Sequence, residues 1–265
     1  MASIKKEIRK NAKKRAKEVL AINGNRAKLA GAVVLCISLT MIMWLLSGLT
    51  DIVLDIFDLN YEYLYYPVSM FALIIMMLYL VAPVYVGTYR MAVHMLDGEQ
   101  MEVADIFEPF SSVRKYRRAL RSSFKIFRRI APILIALNIH AIMDYLSYWF
   151  VFYEETIKNV DYFFIPAAFI LVFWANRPFG MVSFAYFDEG MKLRHARKMA
   201  RKARKGYRSC VLGVSLGTLI KLLLSMLTLG IATIVHVIPL SMLTYGAMAE
   251  ELKRRYEIKT ERIDI

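Results

Sequence analysis

The stretch "LAGAVVLCISLTMIMWLLSGL", residues 29–49, contains no charged side chain. A helix needs about 20 apolar residues to cross a hydrocarbon layer of roughly 30 Å, so this stretch is long enough to span a membrane. Comparable stretches follow at residues 67–88, 130–150, 163–184, 210–229 and 231–248, the last two divided by Gly230 into a tight hairpin. The sequence therefore predicts an all-α, polytopic membrane helix bundle with six transmembrane helices.

The composition supports this prediction because apolar and charged residues occupy separate blocks. Hydrophobic residues make up 58% of the 265-residue chain and the mean hydropathy is +0.42, yet 36 Lys and Arg stand against 22 Asp and Glu. A soluble domain would mix the two kinds along each amphipathic helix. The block pattern is typical of a membrane protein.

Basic residues also predict the orientation of the spans, since Lys and Arg concentrate in cytoplasmic loops. Residues 1–28 hold ten basic side chains, and residues 89–129 and 185–209 hold nine each. The intervening loops, residues 50–67 and 151–162, are acidic. We therefore expect both termini in the cytoplasm, with a cytoplasmic tail at 250–265, and a location in the bacterial cytoplasmic membrane.

Residues 1–28 predict a cytoplasmic basic amphipathic helix. Apolar side chains recur at helical spacing among the lysines and arginines: Ile4, Ile8, Ala12, Ala16, Val19 and Leu20. Such a helix is expected to lie on the inner leaflet, with its apolar face in lipid. A basic helix surrounded by solvent is the alternative.

The cytoplasmic segment 89–129 predicts a second interfacial element, "VADIFEPFSSVRKYRRALRSSFKIFRR" at residues 103–129. Its apolar residues form two groups, Val103, Ile106, Phe107 and Phe110 before a break at Pro109 and the serines, and Tyr116, Leu120, Phe124 and Phe127 after it. This element is expected in the inner head-group layer. Packing on the cytoplasmic ends of the bundle is equally compatible with the pattern.

Ionisable residues inside the predicted spans are functional candidates, because burying a charge in lipid is costly. A rise of roughly 1.5 Å per residue places His140, Asp144, Lys221 and His236 at similar depth in the outer half. Asp144 and Lys221 are candidates for a buried pair, acting either as an ion relay or as a clamp between helices. Arg177, followed by Pro178, predicts a kinked helix end anchored at the inner surface, or else an arginine that lines a polar cleft and binds an anion.

Catalytic and metal-binding motifs were not found. There is no His-Glu-x-x-His, Walker or Gly-x-Ser-x-Gly motif, and the four histidines lack metal-ligand spacing.

Cys36 and Cys210 predict no disulfide, since both fall within spans. The basic block "MKLRHARKMARKARKGYR" at 191–208 is explained by topology and anionic lipid head groups without nucleic acid. We therefore expect no catalysis, no cofactor and no nucleic-acid partner.

The stretch "VGTYRMAVHMLDGEQMEVADIFEPFSSVRKY", residues 86–116, resembles the signature of a bacterial integral membrane family, domain of unknown function nine-seven-five. The matching positions are Gly87, the Leu-x-Gly-Glu turn with Gly98, and Asp105, Phe107 and Phe110. The resemblance implies a six-helix membrane protein, distantly similar to the membrane domain of glycerophosphodiester phosphodiesterases but without their catalytic domain. It implies no molecular activity.

Two function classes follow from these patterns. The first is a non-catalytic scaffold or accessory factor that interacts with anionic head groups or partner proteins at the inner leaflet. The second is a small transporter or permease component that uses the intramembrane ionisable residues.

Overall fold

The computed structural model describes residues 2–22, 24–56, 71–124, 193–228 and 230–261, and these residues are helical without any strand. The α-helices are α1 (Ala2–Ala21), α2 (Asn25–Ile56), α3 (Phe71–Leu96), α4 (113–124), α5 (Leu193–Arg204), α6 (Arg208–Ser225) and α7 (Ile238–Glu261). Shorter turns of 3₁₀ or π helix lie at Val103–Ser111, Met226–Thr228 and Thr233–Val237, and Met77–Val81 is a π-helical turn inside α3. The predicted all-α class is confirmed for this part of the chain.

Two of the described helices are long and apolar enough to cross a membrane, Asn25–Met43 within α2 and Phe71–Leu96. They correspond to the first two predicted spans. The predicted spans at 130–150 and 163–184 lie outside the described residues. The predicted spans 210–229 and 231–248 cover most of α6, the helical turns Met226–Thr228 and Thr233–Val237, and the first part of α7. None of these elements is among the two helices.

Helices α2 and α3 run antiparallel, and their polar contacts set the register. Lys28 Nζ lies 2.8 Å from Glu102 Oε1, just beyond the end of α3, while Cys36 Sγ lies 3.2 Å from the Thr88 hydroxyl. Both thiols of the chain, those of Cys36 and Cys210, are free and buried. The N-terminal end of α2 and the C-terminal end of α3 therefore lie side by side.

The apolar face of helix α1 packs against the rest of the protein. Its residues Ile8, Ala12, Ala16, Val19 and Leu20 are buried, and the helix contacts mainly α7 and α6. Only Ile4, 40% exposed, remains outside this face. The structure therefore differs from the expectation that this face of α1 lies in lipid. The physical reason is that the central alanines permit close helix contact, whereas insertion into lipid favours larger apolar side chains.

Helices α1 and α6 run in the same direction, in register. Cys210 Sγ donates to the Lys5 carbonyl over 3.4 Å, and Arg9 and Lys13 cover Gly213 and Gly217. The two glycines form the small-x-x-x-small pattern that lets helices approach closely. Here they accommodate long cationic side chains from α1.

Within the described residues, one apolar surface lies at the far ends of α2 and α3. Exposed large side chains recur along α2 from Met41 to Ile56 and along α3 from Phe71 to Leu80, whereas the opposite ends are mostly buried. We call these exposed segments, 41–56 and 71–80, the apolar arm, and the helices packed around the opposite ends the base. In α3 the exposed segment 71–80 lies within the predicted span 67–88, whereas in α2 the exposed segment 41–56 begins within the predicted span 29–49 and extends beyond it. Hydropathy alone does not show which residues of an apolar helix are exposed.

Candidate functional site

The segment that carries the family-like signature folds into a sharp turn followed by a capped 3₁₀ helix. Gly98 has φ +87°, a left-handed conformation that favours glycine, and ends α3. The Glu102 amide then donates to Asp105 Oδ2 over 2.7 Å, in a reciprocal capping box that starts Val103–Ser111. Gly98 and Asp105 therefore have structural roles: they return the chain onto α3.

Gly87 allows this returning segment to contact the backbone of α3. A Cβ built at Gly87 would overlap the Ile106 carbonyl group, and Ile106 itself is fully buried. A residue with a side chain would have to displace backbone, which cannot yield as a flexible side chain does. Gly87 is thus required by close packing of the 3₁₀ helix on α3.

A chain of ionic contacts holds the same segment in place. Arg90 Nη1 lies 2.5 Å from Glu108 Oε1, and the Lys115 ammonium lies 2.6 Å from the same carboxylate oxygen. Arg90 is only 8% exposed. The sequence predicts for Arg90 only a contribution to the orientation of the spans, as one of the basic residues of segment 89–129. Its partner Glu108 is 18 residues away, and the two side chains meet only because the chain turns at Gly98.

His94 extends this ionic chain. Its Nε2 accepts from Arg90 Nε over 3.1 Å, and its Nδ1 lies 2.7 Å from Glu99 Oε2. Since Nε2 accepts from Arg90, Nδ1 is the ring nitrogen that can donate to Glu99. The four charged members, Arg90, Glu99, Glu108 and Lys115, therefore carry two charges of each sign.

Above this support lies an exposed aromatic surface. Phe107 and Phe110 are 41% and 40% exposed, with ring centroids 6.4 Å apart, and Phe110 stacks on Tyr116 at 5.4 Å. Val113 is exposed beside them. We call Phe107, Phe110, Val113 and Tyr116 the aromatic platform.

The platform lies where the apolar arm meets the base. Tyr116 Oη donates over 3.0 Å to the carbonyl of Tyr79, which is exposed within the arm. On α4, the exposed side chains of Arg114, Arg117 and Arg121 flank the platform. Of the predicted segment 103–129, the structure describes residues 103–124. Ile106, Pro109 and Ala119 are buried there, whereas Phe107, Phe110 and Val113 are exposed.

Of the ionisable residues predicted within spans, two fall in the described part. His140, Asp144 and Arg177 lie outside it, so the pairing of Asp144 with Lys221 stays a prediction. Lys221 and His236 are close enough to interact electrostatically, and Lys17 of α1 is near both. Lys221 therefore has cations of α1, Lys13 and Lys17, as neighbours. The sequence does not predict this contact, because its helical periodicity predicts α1 on the inner leaflet, away from the spans.

A cavity of about 420 Å³ lies at this contact between α1, α6 and α7. Five lysines line it: Lys10, Lys13, Lys14, Lys17 and Lys221. The remaining wall consists of small, hydroxyl and aliphatic side chains: Val214, Gly217, Thr218, Val237, Leu240, Ser241 and Thr244. We call this the lysine cavity.

A third charged cluster joins α1 to the end of α3 and to the middle of α7. Arg15 Nη2 donates over 2.9 Å to the Leu96 carbonyl, and Arg15 Nη1 lies 2.6 Å from Glu250 Oε2. Burial of Glu250 and a hydrogen bond with the neighbouring Asp97 raise the pKa of the Glu250 carboxyl, and Arg15 opposes this rise. Glu250 therefore faces both an acid, Asp97, and a base, Arg15.

Two further observations concern metal binding and similarity to known proteins. Among the described residues, no group of three or more His, Cys, Asp or Glu side chains is arranged to hold a metal ion. Comparisons with family models, curated proteins and solved structures find no match for the chain.

Proposed function

We propose that the chain is a non-catalytic membrane scaffold or accessory factor that engages the inner leaflet through the aromatic platform. In this proposal it crosses the bacterial cytoplasmic membrane six times, with both termini in the cytoplasm. The helices α2 and α3 supply two of the crossings, and the remaining four rest on the hydropathy and charge of the sequence. The resemblance to the six-helix family supports the same topology.

The observation that carries the proposal is the position of the platform at the boundary between the apolar arm and the base. Aromatic side chains favour the interface between hydrocarbon and water, and arginines beside them favour anionic head groups. Phe107 and Phe110 are exposed at this boundary, with Arg114 and Arg117 next to them. The surface therefore has the chemistry of a head-group contact.

The support beneath the platform favours a scaffold over a mobile anchor. Gly87 lets the 3₁₀ helix pack on backbone, and Arg90 and Lys115 hold Glu108 from two sides. A surface held so tightly presents Phe107 and Phe110 at a fixed depth. Fixed aromatic contacts lose little conformational entropy when they bind.

Spin labelling in lipid nanodiscs that contain anionic lipid tests the proposal. A label at Phe107→Cys should be accessible to oxygen, which partitions into lipid, and shielded from a water-soluble nickel complex. Gln100→Cys is the matched control, seven residues away on the exposed turn, and should show the reverse. Cys36 and Cys210 are buried, which limits background labelling.

Two results would count against the inner-leaflet assignment. A Phe107 label open to the nickel complex would place the platform in water. A label that becomes shielded from both reagents only when the chain is isolated with its native membrane proteins would instead identify a protein partner on the platform.

One observation favours the alternative function, a small transporter. The lysine cavity lies on α6 and α7 beside Lys221, one of the residues suggested for a path, and its charge suits an anion. Uptake of a radiolabelled anion into proteoliposomes, abolished by Lys221→Gln, would support transport.

A further inference from the structure

The lysine cavity concentrates positive charge that no carboxylate among its described lining residues compensates. Lys14 has a carboxylate neighbour, Glu18, at 3.8 Å on the exposed side of α1. Within the described residues, no carboxylate lines the cavity or forms an ion pair with Lys13, Lys17 or Lys221. Like charges held together in a concave surface repel one another and attract anions strongly.

The backbone arrangement keeps these lysines together. Because α1 and α6 run in register, Lys13 lies over Gly217, with its Nζ 3.9 Å from where a Cβ would stand, and Lys17 reaches the level of Lys221 one turn further on. The ammonium groups of two separate helices therefore face one space. A charged face of a single helix would let its lysines spread into solvent instead.

The donors in the cavity suit a phosphate group. Ser241 and Thr244 already donate their hydroxyl protons to carbonyls of the same helix segment, over 2.7 and 2.6 Å, so the ammonium groups supply the donors. Lysine binds phosphate as a point charge with three rotatable N–H bonds. A phosphate monoester carries about −1.5 to −2 charges at pH 7, more than a carboxylate can offer to several lysines.

An apolar strip next to the cavity indicates where the rest of the ligand lies. Leu216, Ile220 and Leu224 are exposed at successive turns of α6, adjacent to the row formed by Gly217 and Lys221. Val214, Val237 and Leu240 provide an apolar wall inside the cavity itself. A ligand with a phosphate head and a hydrocarbon tail fits both surfaces.

We propose that the lysine cavity binds a phosphate group, and that its source is an anionic phospholipid with a phosphomonoester head, whose chains lie along Leu216, Ile220 and Leu224. This inference rests on the proposed function in one respect: both require that the protein lies at a membrane surface. The site differs from the aromatic platform and is tested separately.

Thermal unfolding of the detergent-purified chain, followed with a thiol-reactive dye, tests the proposal, since both thiols are buried until unfolding. The probes are dioctanoyl phosphatidic acid, dioctanoyl phosphatidylcholine and inorganic pyrophosphate. Phosphatidic acid should raise the unfolding temperature in a saturable manner. Pyrophosphate should act only at much higher concentration, and phosphatidylcholine should have no effect.

Variants assign the effect to the cavity. Removing two charges with Lys17→Gln/Lys221→Gln should weaken the phosphatidic acid affinity about thirtyfold, since each cation near a head group contributes about 1 kcal/mol. Lys5→Gln/Lys6→Gln removes the same charge from α1 outside the cavity lining and should leave the affinity unchanged.

Each opposite result overturns a defined part of the proposal. Equal weakening by both double variants, or no shift with any phosphate probe, would remove the cavity as a site. Pyrophosphate acting at or below the concentration of the lipid would overturn the lipid source. Failure of the Phe107 labelling experiment would refute the platform and leave these results unaffected.

Discussion

Two regions of the molecule are rich in basic side chains and use them in opposite ways. Beneath the aromatic platform, Arg90 and Lys115 meet Glu108 at 2.5 and 2.6 Å, in a segment packed on Gly87. In the lysine cavity, Lys17 and Lys221 line the same space and repel each other. Cations paired with a carboxylate, which we call compensated, stabilise the folded state. Clustered cations without such a partner repel one another and raise the free energy of the folded state until an anion binds. The two regions should therefore respond to substitution with opposite signs.

The largest effect is expected from Gly87→Val, which would break the compensated region. The new side chain would overlap the Ile106 carbonyl, so the 3₁₀ helix must move and separate Glu108 from Arg90. The expected loss in the free energy of unfolding is about 3 kcal/mol or more. The dye assay on the buried thiols measures it. Gly48→Ala is the control: nothing lies within 4 Å of its added Cβ, and it should stabilise α2 by about 0.5–1 kcal/mol.

Arg90→Met should have the next largest effect. It leaves Glu108 with Lys115 alone and removes the donor to His94 Nε2, in a site where Arg90 is nearly buried. Breaking a buried pair in this way costs about 3 kcal/mol. Arg254→Met removes an exposed partner of Glu251 and should change stability by less than about 1 kcal/mol. Equal losses in the two variants would show that the ionic chain contributes no more than a surface pair.

How far the sequence predicts these regions depends on the separation of the interacting residues. The helices α2 and α3, the break at Gly230 and the helical periodicity of α1 follow from local patterns, and the structure contains each of them. The glycine and aspartate of the signature turn also act locally, through a left-handed φ at Gly98 and a cap at Asp105.

The contacts between distant segments could not be predicted. The concentration of Lys and Arg in cytoplasmic loops predicts only the orientation of the spans. It therefore predicts no contact between the side chains of α1 and α6. Lys17 and Lys221 are brought together only because Arg9 and Lys13 fit over Gly213 and Gly217. That fit depends on tertiary packing, which neither hydropathy nor periodicity encodes.

Lys221→Gln sharpens the comparison, because it should stabilise the protein. In phosphate-free buffer of low ionic strength it relieves repulsion from Lys13 and Lys17, and we expect a gain of about 0.5 kcal/mol. The gain should vanish at high salt, where exposed charges are screened. Unfolding temperatures measured at both salt concentrations, with Lys6→Gln as control, test this. A loss of stability at low salt would indicate that Lys221 has a compensating partner.

The contact at Arg15 is a third case, in which a partly buried carboxyl faces one acid and two bases, and it should give a small effect with a pH signature of its own. The raised pKa of Glu250 means that the folded state binds a proton more readily than the unfolded state. Stability should therefore fall as pH rises from the ordinary carboxyl pKa through the raised one. The groups that face Glu250 are Arg15 from α1, Asp97 after α3 and Lys253 on its own helix.

Glu250→Gln should remove this slope, and Asp97→Asn should only reduce it. Burial, the largest cause of the raised pKa, persists when Asp97 becomes neutral. Because the Glu250 side chain is 32% exposed, the change across this pH range should stay below about 1 kcal/mol. Unfolding temperatures measured as a function of pH for the three proteins distinguish the cases. A flat profile in the unaltered chain would mean that Arg15 fully compensates Glu250, and the contact would then belong with the compensated region beneath the platform.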